Sequence, residues 1–166
     1  MADLRVQRVV AAPVAGVWDV LVDVAMLPEL SRSTTSVEVD GPLRHVGQQF
    51  RQTVRLAGRR WSSDWSVVHL EERRRLAVEG SIAPGTGYRL DQQLEAADDD
   101  RTVLTVIATY ELPLGPLGRM ASRLGVERRV DDELGVVVEG VARVAEARHR
   151  ARASAGRSAV DRARRS

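Results

Sequence analysis

Few side chains in this chain could do chemistry, and their types limit what that chemistry would be. His69, Tyr88 and Tyr110 could move or share a proton, and Gln52 and Gln92 add amides at alternating strand positions. A histidine serves as general base only from a cavity position and with a pKa near the working pH. Tyrosine joins an apolar ring to a phenol that gives or accepts a hydrogen bond. Trp61 and Trp65 stand four residues apart in one strand-like run, and therefore share a face. His45 falls in a loop and His149 in the C-terminal tail, so His69 is the histidine whose parity is expected to point inward. His69 and Tyr110 are the catalytic candidates. They would act as acid or base on a molecule held by apolar walls.

Other chemistries are absent from the sequence. There is no cysteine, which removes thiolate catalysis, disulfides and iron–sulfur ligation. Three scattered histidines without HxH or HExxH spacing assemble no metal site, and no cofactor is expected. Asp98 to Asp100 reads as a turn tip. Gly115 to Gly118 reads as a helix entry, not a phosphate cradle. No Ser-His-Asp set forms a motif. No apolar run approaches the roughly 18 residues that span a bilayer. The start of the chain shows no signal pattern, so a cytoplasmic location is expected.

All 25 basic residues are arginine. From Val141 onward the chain holds eight of them against Glu146 and Asp161. The preceding 140 residues set 17 arginines against 21 acids. A mildly acidic body is not a DNA-binding domain, so no DNA partner is expected. Membrane or RNA contact is open only to the basic tail.

These residues need elements to position them. Leu4–Ala11 reads as a strand. Pro13 then opens a short helix that places Val14, Val17, Trp18 and Leu21 on one stripe, with Trp18 as its core anchor. Val24–Leu30 continues as a second short helix or turn, broken by Pro28. Six strand-like segments follow: Thr35–Val39, Gln48–Ala57, Trp61–Leu70, Leu76–Ile82, Tyr88–Ala96 and Thr102–Leu112. Their short links predict antiparallel hairpins. Alternation sets Phe50, Gln52, Val54 and Leu56 on one face, and Gln49, Arg51, Thr53 and Arg55 on the other. Trp61, Ser63, Trp65, Val67 and His69 are assigned inward, as are Tyr88, Leu90, Gln92 and Leu94, and Leu104, Val106, Ala108 and Tyr110. From Leu114 to about Arg148 a long helix is expected, bent near Gly125. One of its stripes is Leu117, Met120 and Leu124; the other includes Leu134, Val138 and Val141. Residues 1–147 form the domain. Residues 148–166 form an Arg/Ala/Ser-rich tail, expected as a frayed helix or a disordered end.

The order of elements resembles the helix-grip fold of the START / Bet v 1-like (SRPBCC) superfamily. More closely it resembles the bacterial polyketide cyclase/dehydrase and lipid-transport family. Three stretches carry the resemblance. They are Ala12 to Asp23 with Leu27-Pro28-Glu29-Leu30; Gly47-Gln48-Gln49-Phe50; and Leu70 to Leu76 followed by Thr102 to Tyr110 and the helix. Leu30 stands where that family often has an aromatic residue, and Glu72-Arg73 where it often has proline. The resemblance implies an α+β fold: a curved antiparallel sheet of about seven strands, two short helices after the first strand, and a long C-terminal helix packed across the sheet. It also implies a cavity for a hydrophobic small molecule. Its expected lining is Phe50, Gln52, Val54, Trp61, Trp65, His69, Tyr88, Gln92, Val106, Tyr110, Met120 and Leu124. Three functions fit: carriage of a lipid, polyketide or isoprenoid-like ligand; polyketide aromatisation or cyclisation by pocket acid/base groups; or a protein- or ribosome-interaction module.

Overall fold

A curved sheet organises the chain. The computed structural model describes residues 2–56, 58–83, 86–111 and 126–165. Strand β1 (Ala2–Val10) leads into α1 (Val14–Val22), a 3-10 turn (Val24–Met26) and α2 (Leu27–Leu30). Six strands follow: β2 (Thr34–Val39), β3 (Gln49–Leu56), β4 (Arg59–Glu71), β5 (Arg75–Ala83), β6 (Thr86–Asp98) and β7 (Arg101–Tyr110). Helix α3 (Val126–Arg164) closes the chain.

Local chemistry explains the switches. Pro13 sits just before α1 in extended backbone, and α1 buries Val17, Trp18, Val20, Leu21 and Val22. Pro28 does not break the second helix as the sequence suggested. It lies in the first turn of α2, where a missing N–H has no intrahelical partner to lose. Most strands run a residue or more beyond the expected bounds, because the hairpins pair close to their turns: Glu71 still pairs with Arg75, and Asp98 with Arg101.

All neighbours are antiparallel, in the order β1-β7-β6-β5-β4-β3-β2. Register shifts interrupt the ladders at Thr34/Ser36, Val67/His69, Ser81/Ala83 and Ala96/Asp98. Each such bulge bends its strand and sharpens the local twist. The helices cover the inner face. Leu76, Leu104 and Val10 are fully buried there, with Val138, Val141 and Ala145 from α3. Thr102 spends its hydroxyl inside the core, donating to the Ala12 carbonyl at 2.8 Å. The helix-grip arrangement expected from the element order is present. The first half of the expected long helix, with its bend at Gly125, lies outside the described residues. Helix α3 runs unbroken to Arg164, and it is exposed from Arg150 onward.

Two glycines of α3 show what holds this helix in place. A Cβ at Gly140 would stand 3.0 Å from the Leu30 carbonyl oxygen and 3.1 Å from its Cα, so α3 crosses α2 on bare backbone. A Cβ at Gly135 would meet nothing within 4 Å. Gly-to-Ala in a helix gains up to about 1 kcal/mol from propensity, whereas forcing atoms into a packed crossing costs roughly 1–3 kcal/mol. Gly135→Ala is therefore expected to raise stability, and Gly140→Ala to lower it by roughly 1–2 kcal/mol net. Chemical denaturation of the two variants checks both signs.

Candidate functional site

The inner face carries one continuous row of residues in cross-strand register. Val39 pairs with Phe50, Phe50 with Trp65, Trp65 with Gly80, Gly80 with Tyr88, and Tyr88 with Tyr110. From Phe50 to Tyr110 the row is aromatic except where Gly80 interrupts it, and the rings meet over that gap. Phe50 stacks on Trp65 with centroids 6.1 Å apart and planes within 6°. Trp65 meets Tyr88 edge to face at 5.8 Å and 80°. Tyr88 stacks on Tyr110 at 6.1 Å and 13°. Each such pair adds about 0.5–1.5 kcal/mol beyond simple burial. Gly80 is a requirement of this arrangement. A Cβ there would lie 2.5 Å from Trp65 Cδ2 and 2.9 Å from the Asp64 carbonyl oxygen. A glycine inside a strand often marks such a close approach.

The row has polar handles. Trp65 is 95% buried by accessible surface, with 5% left exposed, and its Nε1–H has no hydrogen-bond partner among the described residues. A buried donor left unpaired costs about 1–3 kcal/mol, so it stands out. Burial pushes the Tyr88 phenol far above its ordinary value of 10, helped by Tyr110 and by Asp131 of α3. Tyr88 is therefore a neutral donor at physiological pH, not a phenolate base.

The remaining expected residues divide by position. Gln52 lies on the inner face opposite Ser63 and donates to Thr34 Oγ1 at 2.7 Å. Val54 faces Trp61 across the β3–β4 ladder, and Trp61 is 37% exposed at the rim. Gln92 sits between Leu76 and buried Val106, and its amide makes no hydrogen bond among the described residues. Met120 and Leu124 lie outside the described residues.

His69 is not where parity put it. The bulge after Val67 shifts the register by one, so Val67 pairs with Val78 but His69 pairs with Ala77. Ala77 pairs in turn with Asp91. His69 therefore shares the outer face with Asp91, opposite to Leu76 and Gln92. A one-residue slip reverses which face a side chain takes. His69 Nε2 is buried there without a hydrogen-bond partner among the described residues. His45 is exposed in a loop and His149 lies 3.4 Å from Asp100, so none of the three histidines faces the aromatic row.

The outer face is held by ion pairs. Arg75 donates to Asp91 at 3.0 Å, Arg89 to Glu79 at 2.6 Å, and Arg51 to Asp64 at 2.7 Å. Burial alone would push the Asp91 carboxyl up, but hydrogen bonds from Arg75 and Gln93 outweigh it and hold the group below its usual range.

Sequence reasoning missed Glu133. This α3 carboxylate accepts hydrogen bonds from the Ser31 hydroxyl, the Ser33 hydroxyl at 2.9 Å and the Ser33 N–H at 3.0 Å. It ties the start of α3 to the loop beside Thr34. Nothing local in the sequence marks Glu133 off from the other acids of α3, so only the fold reveals it. Gly80 did carry a signal, as a glycine within a strand pattern.

Among the described residues, two hollows border α3, and neither is lined by a residue of the aromatic row. One is a shallow cleft of about 730 Å³ between β1, α2 and α3, bridged by Arg8 and Glu139 at 2.8 Å. The other, near Pro13 and Arg148, has room for about one water. No described helix is long and apolar enough to cross a membrane. No cluster of three or more potential metal ligands occurs among the described residues.

The family model for polyketide cyclase / dehydrase and lipid transport matches residues 1–146. The chain belongs to this family. A search of curated proteins returns no match. Among solved structures, it is similar to the Zhui aromatase/cyclase from Streptomyces sp. R1128, with 24% identity and a TM-score of 0.74 over 89% of this chain and 94% of that one. It is also similar to a START superfamily protein from Mycobacterium smegmatis, at 16% identity and a TM-score of 0.61 over 89% and 97% of the two chains. The di-domain ARO/CYC StfQ of the steffimycin biosynthetic pathway matches at 16% identity and a TM-score of 0.69, over 92% of this chain and 51% of that one. At these identities the structural likeness establishes the helix-grip fold.

Two outcomes follow from the site's geometry. Gly80→Ala is expected to displace the Trp65 ring and to lower stability by roughly 1–3 kcal/mol, read from denaturation and from the near-ultraviolet dichroism of the aromatic row. Glu133 behaves as follows with pH. Burial pushes its carboxyl up, but the Ser31 and Ser33 hydrogen bonds prevail and hold it below its ordinary 4.5. Its contribution is present above 4.5 and is lost as pH falls through the lowered folded value. Acid unfolding curves of Glu133→Gln are expected to lose that part of the pH dependence while stability at neutral pH falls.

Proposed function

We propose that this protein binds and carries a hydrophobic, ring-bearing small molecule that carries an oxygen acceptor, held against the aromatic row of the inner face. The observation behind this reading is Trp65. Its ring is a wall between Phe50 and Tyr88, and its buried Nε1–H has no hydrogen-bond partner among the described residues. Ligand sites are mostly apolar, with a few placed polar groups that fix orientation. A flat apolar body would lie along the rings, and a carbonyl or hydroxyl oxygen would accept the indole N–H. The family, which spans polyketide cyclases and lipid transport, agrees with such cargo.

A second reading, cyclisation of a poly-β-ketone chain, is favoured by one observation. The Tyr88 phenol and the Trp65 N–H are both neutral donors set along one wall, able to polarise a carbonyl and to hold a folded chain. No histidine serves as base on that wall, so in this reading shape and hydrogen bonding carry the rate. Turnover of a poly-β-ketone precursor that falls in Tyr88→Phe and Tyr110→Phe while binding persists would place cyclisation ahead of carriage.

Calorimetric titration with 2-acetylnaphthalene and with naphthalene tests the first reading. The wild type is expected to bind the ketone more tightly than the hydrocarbon. Trp65→Phe is expected to weaken ketone binding roughly three- to tenfold, as for one lost hydrogen bond, and to leave the hydrocarbon within twofold. Equal loss for both probes, or no binding of either, would overturn it. Native mass spectrometry of protein purified from its own host would then give the mass of the natural cargo.

A further inference from the structure

On the outer face Arg51, Arg75 and Arg89 pair with carboxylates, whereas at the β3–β4 hairpin tip Arg55 and Arg60 on the outer face and Arg59 on the inner face pair with none among the described residues. Arg55 and Arg60 face each other directly across the ladder, and Arg59 pairs with Leu56 one step nearer the turn. Like charges placed opposite each other destabilise a hairpin. All three side chains are exposed, and none makes an ion pair or side-chain hydrogen bond among the described residues. Arg32 adjoins this tip, since the Arg55 N–H donates to the Ser33 carbonyl at 2.8 Å. The nearby carboxylates are already engaged. Asp64 is bound by Arg51, and Glu133 by Ser31 and Ser33.

The position of Arg59 gives this charge a direction. Arg59, Trp61, Ser63 and Trp65 alternate along β4 on the inner face. Strand geometry puts Arg59 roughly 7 Å beyond Trp61 and roughly 20 Å from Trp65. One column thus runs from a buried ring, past a half-exposed ring, to an exposed guanidinium. Guanidinium forks match carboxylate, sulfonate and phosphate oxygens in pairs.

We infer that the cargo is an amphipathic anion: its apolar body lies along Trp65 and Trp61, and its acidic group is held at the rim by Arg59, with Arg55 and Arg60 on the outer face of the same tip adding only to the local positive field. This rests on the inner face being the ligand site, and it adds the substrate class.

A pair of dyes with one skeleton separates the two claims. 8-Anilinonaphthalene-1-sulfonate carries a sulfonate, and N-phenyl-1-naphthylamine does not. The readout is the ratio of their affinities, measured by fluorescence titration in 50 mM salt. The wild type is expected to favour the sulfonate roughly three- to tenfold, the range of one to two partly exposed ion pairs. The triple variant Arg55→Gln, Arg59→Gln, Arg60→Gln is expected to bring the ratio to about one, and Arg59→Lys to retain most of it. Raising the salt to 500 mM is expected to shrink the wild-type ratio. A wild-type ratio near one with the neutral dye still bound would overturn the anion assignment and leave the inner-face reading standing. A ratio that survives in the triple variant would also overturn it. If neither dye binds, the inner-face reading falls and the anion assignment with it. Thermal melts confirm that each variant is folded.

Discussion

Trp65 reaches its place because its cross-strand neighbour at position 80 has no side chain. The indole ring lies over that bare backbone, with Phe50 on one side and Tyr88 on the other. Tyr110 extends the series across β7. Any Cβ at residue 80 would push the ring off the sheet and break both contacts. The continuity of the inner wall, the burial of the Tyr88 phenol and the unpaired indole N–H all follow from this one absence. Burial is also what makes the wall chemically mild. It raises the Tyr88 phenol further above its already high ordinary value, so the wall offers donors and rings, not a base.

A second constraint holds the lid of the structure. Helix α3 cannot rest on the sheet by apolar packing alone, because α2 and its following loop lie against it. Gly140 lets the two backbones approach at Leu30, and Glu133 gathers hydrogen bonds from Ser31 and Ser33 one to two turns earlier. Steric fit and a partly buried carboxylate thus fix the same crossing. The loop pinned by Glu133 leads straight into Thr34, which accepts the Gln52 amide on the inner face. The position of α3 and the polar furnishing of the inner face are therefore coupled through a few residues.

Charge is sorted by face as well as by sequence. The convex side is a lattice of cross-strand ion pairs that satisfies Asp91, Glu79 and Asp64. The exposed Arg89–Glu79 and Arg51–Asp64 pairs contribute little stability, typically under about 1 kcal/mol each. Their consequence is that carboxylates are used up where the sheet is crowded. The β3–β4 tip keeps its positive charge, with Arg59 on the inner face and Arg55 and Arg60 on the outer.

Much of this was written in the chain itself. Alternation along β3, β6 and β7 assigned Phe50, Tyr88, Val106 and Tyr110 to one face, because a period of two survives wherever the ladder is regular. Turn residues placed the hairpins, and the Pro13 region marked the change from strand to helix. Local periodicity could not anticipate the bulge after Val67. A bulge is settled by how two strands share bonds and twist, and it carried His69 to the outer face and out of the chemistry. Nor could it single out Glu133, whose role exists only where α3 meets a loop 100 residues earlier. The sequence by itself determined the order of elements, the antiparallel meander and the aromatic stock of the inner face, since these rest on local alternation and turn chemistry. Which rings touch, which buried donor lacks a partner among the described residues and which histidine is excluded depend on register between strands distant in the chain, and so emerge only in the folded protein.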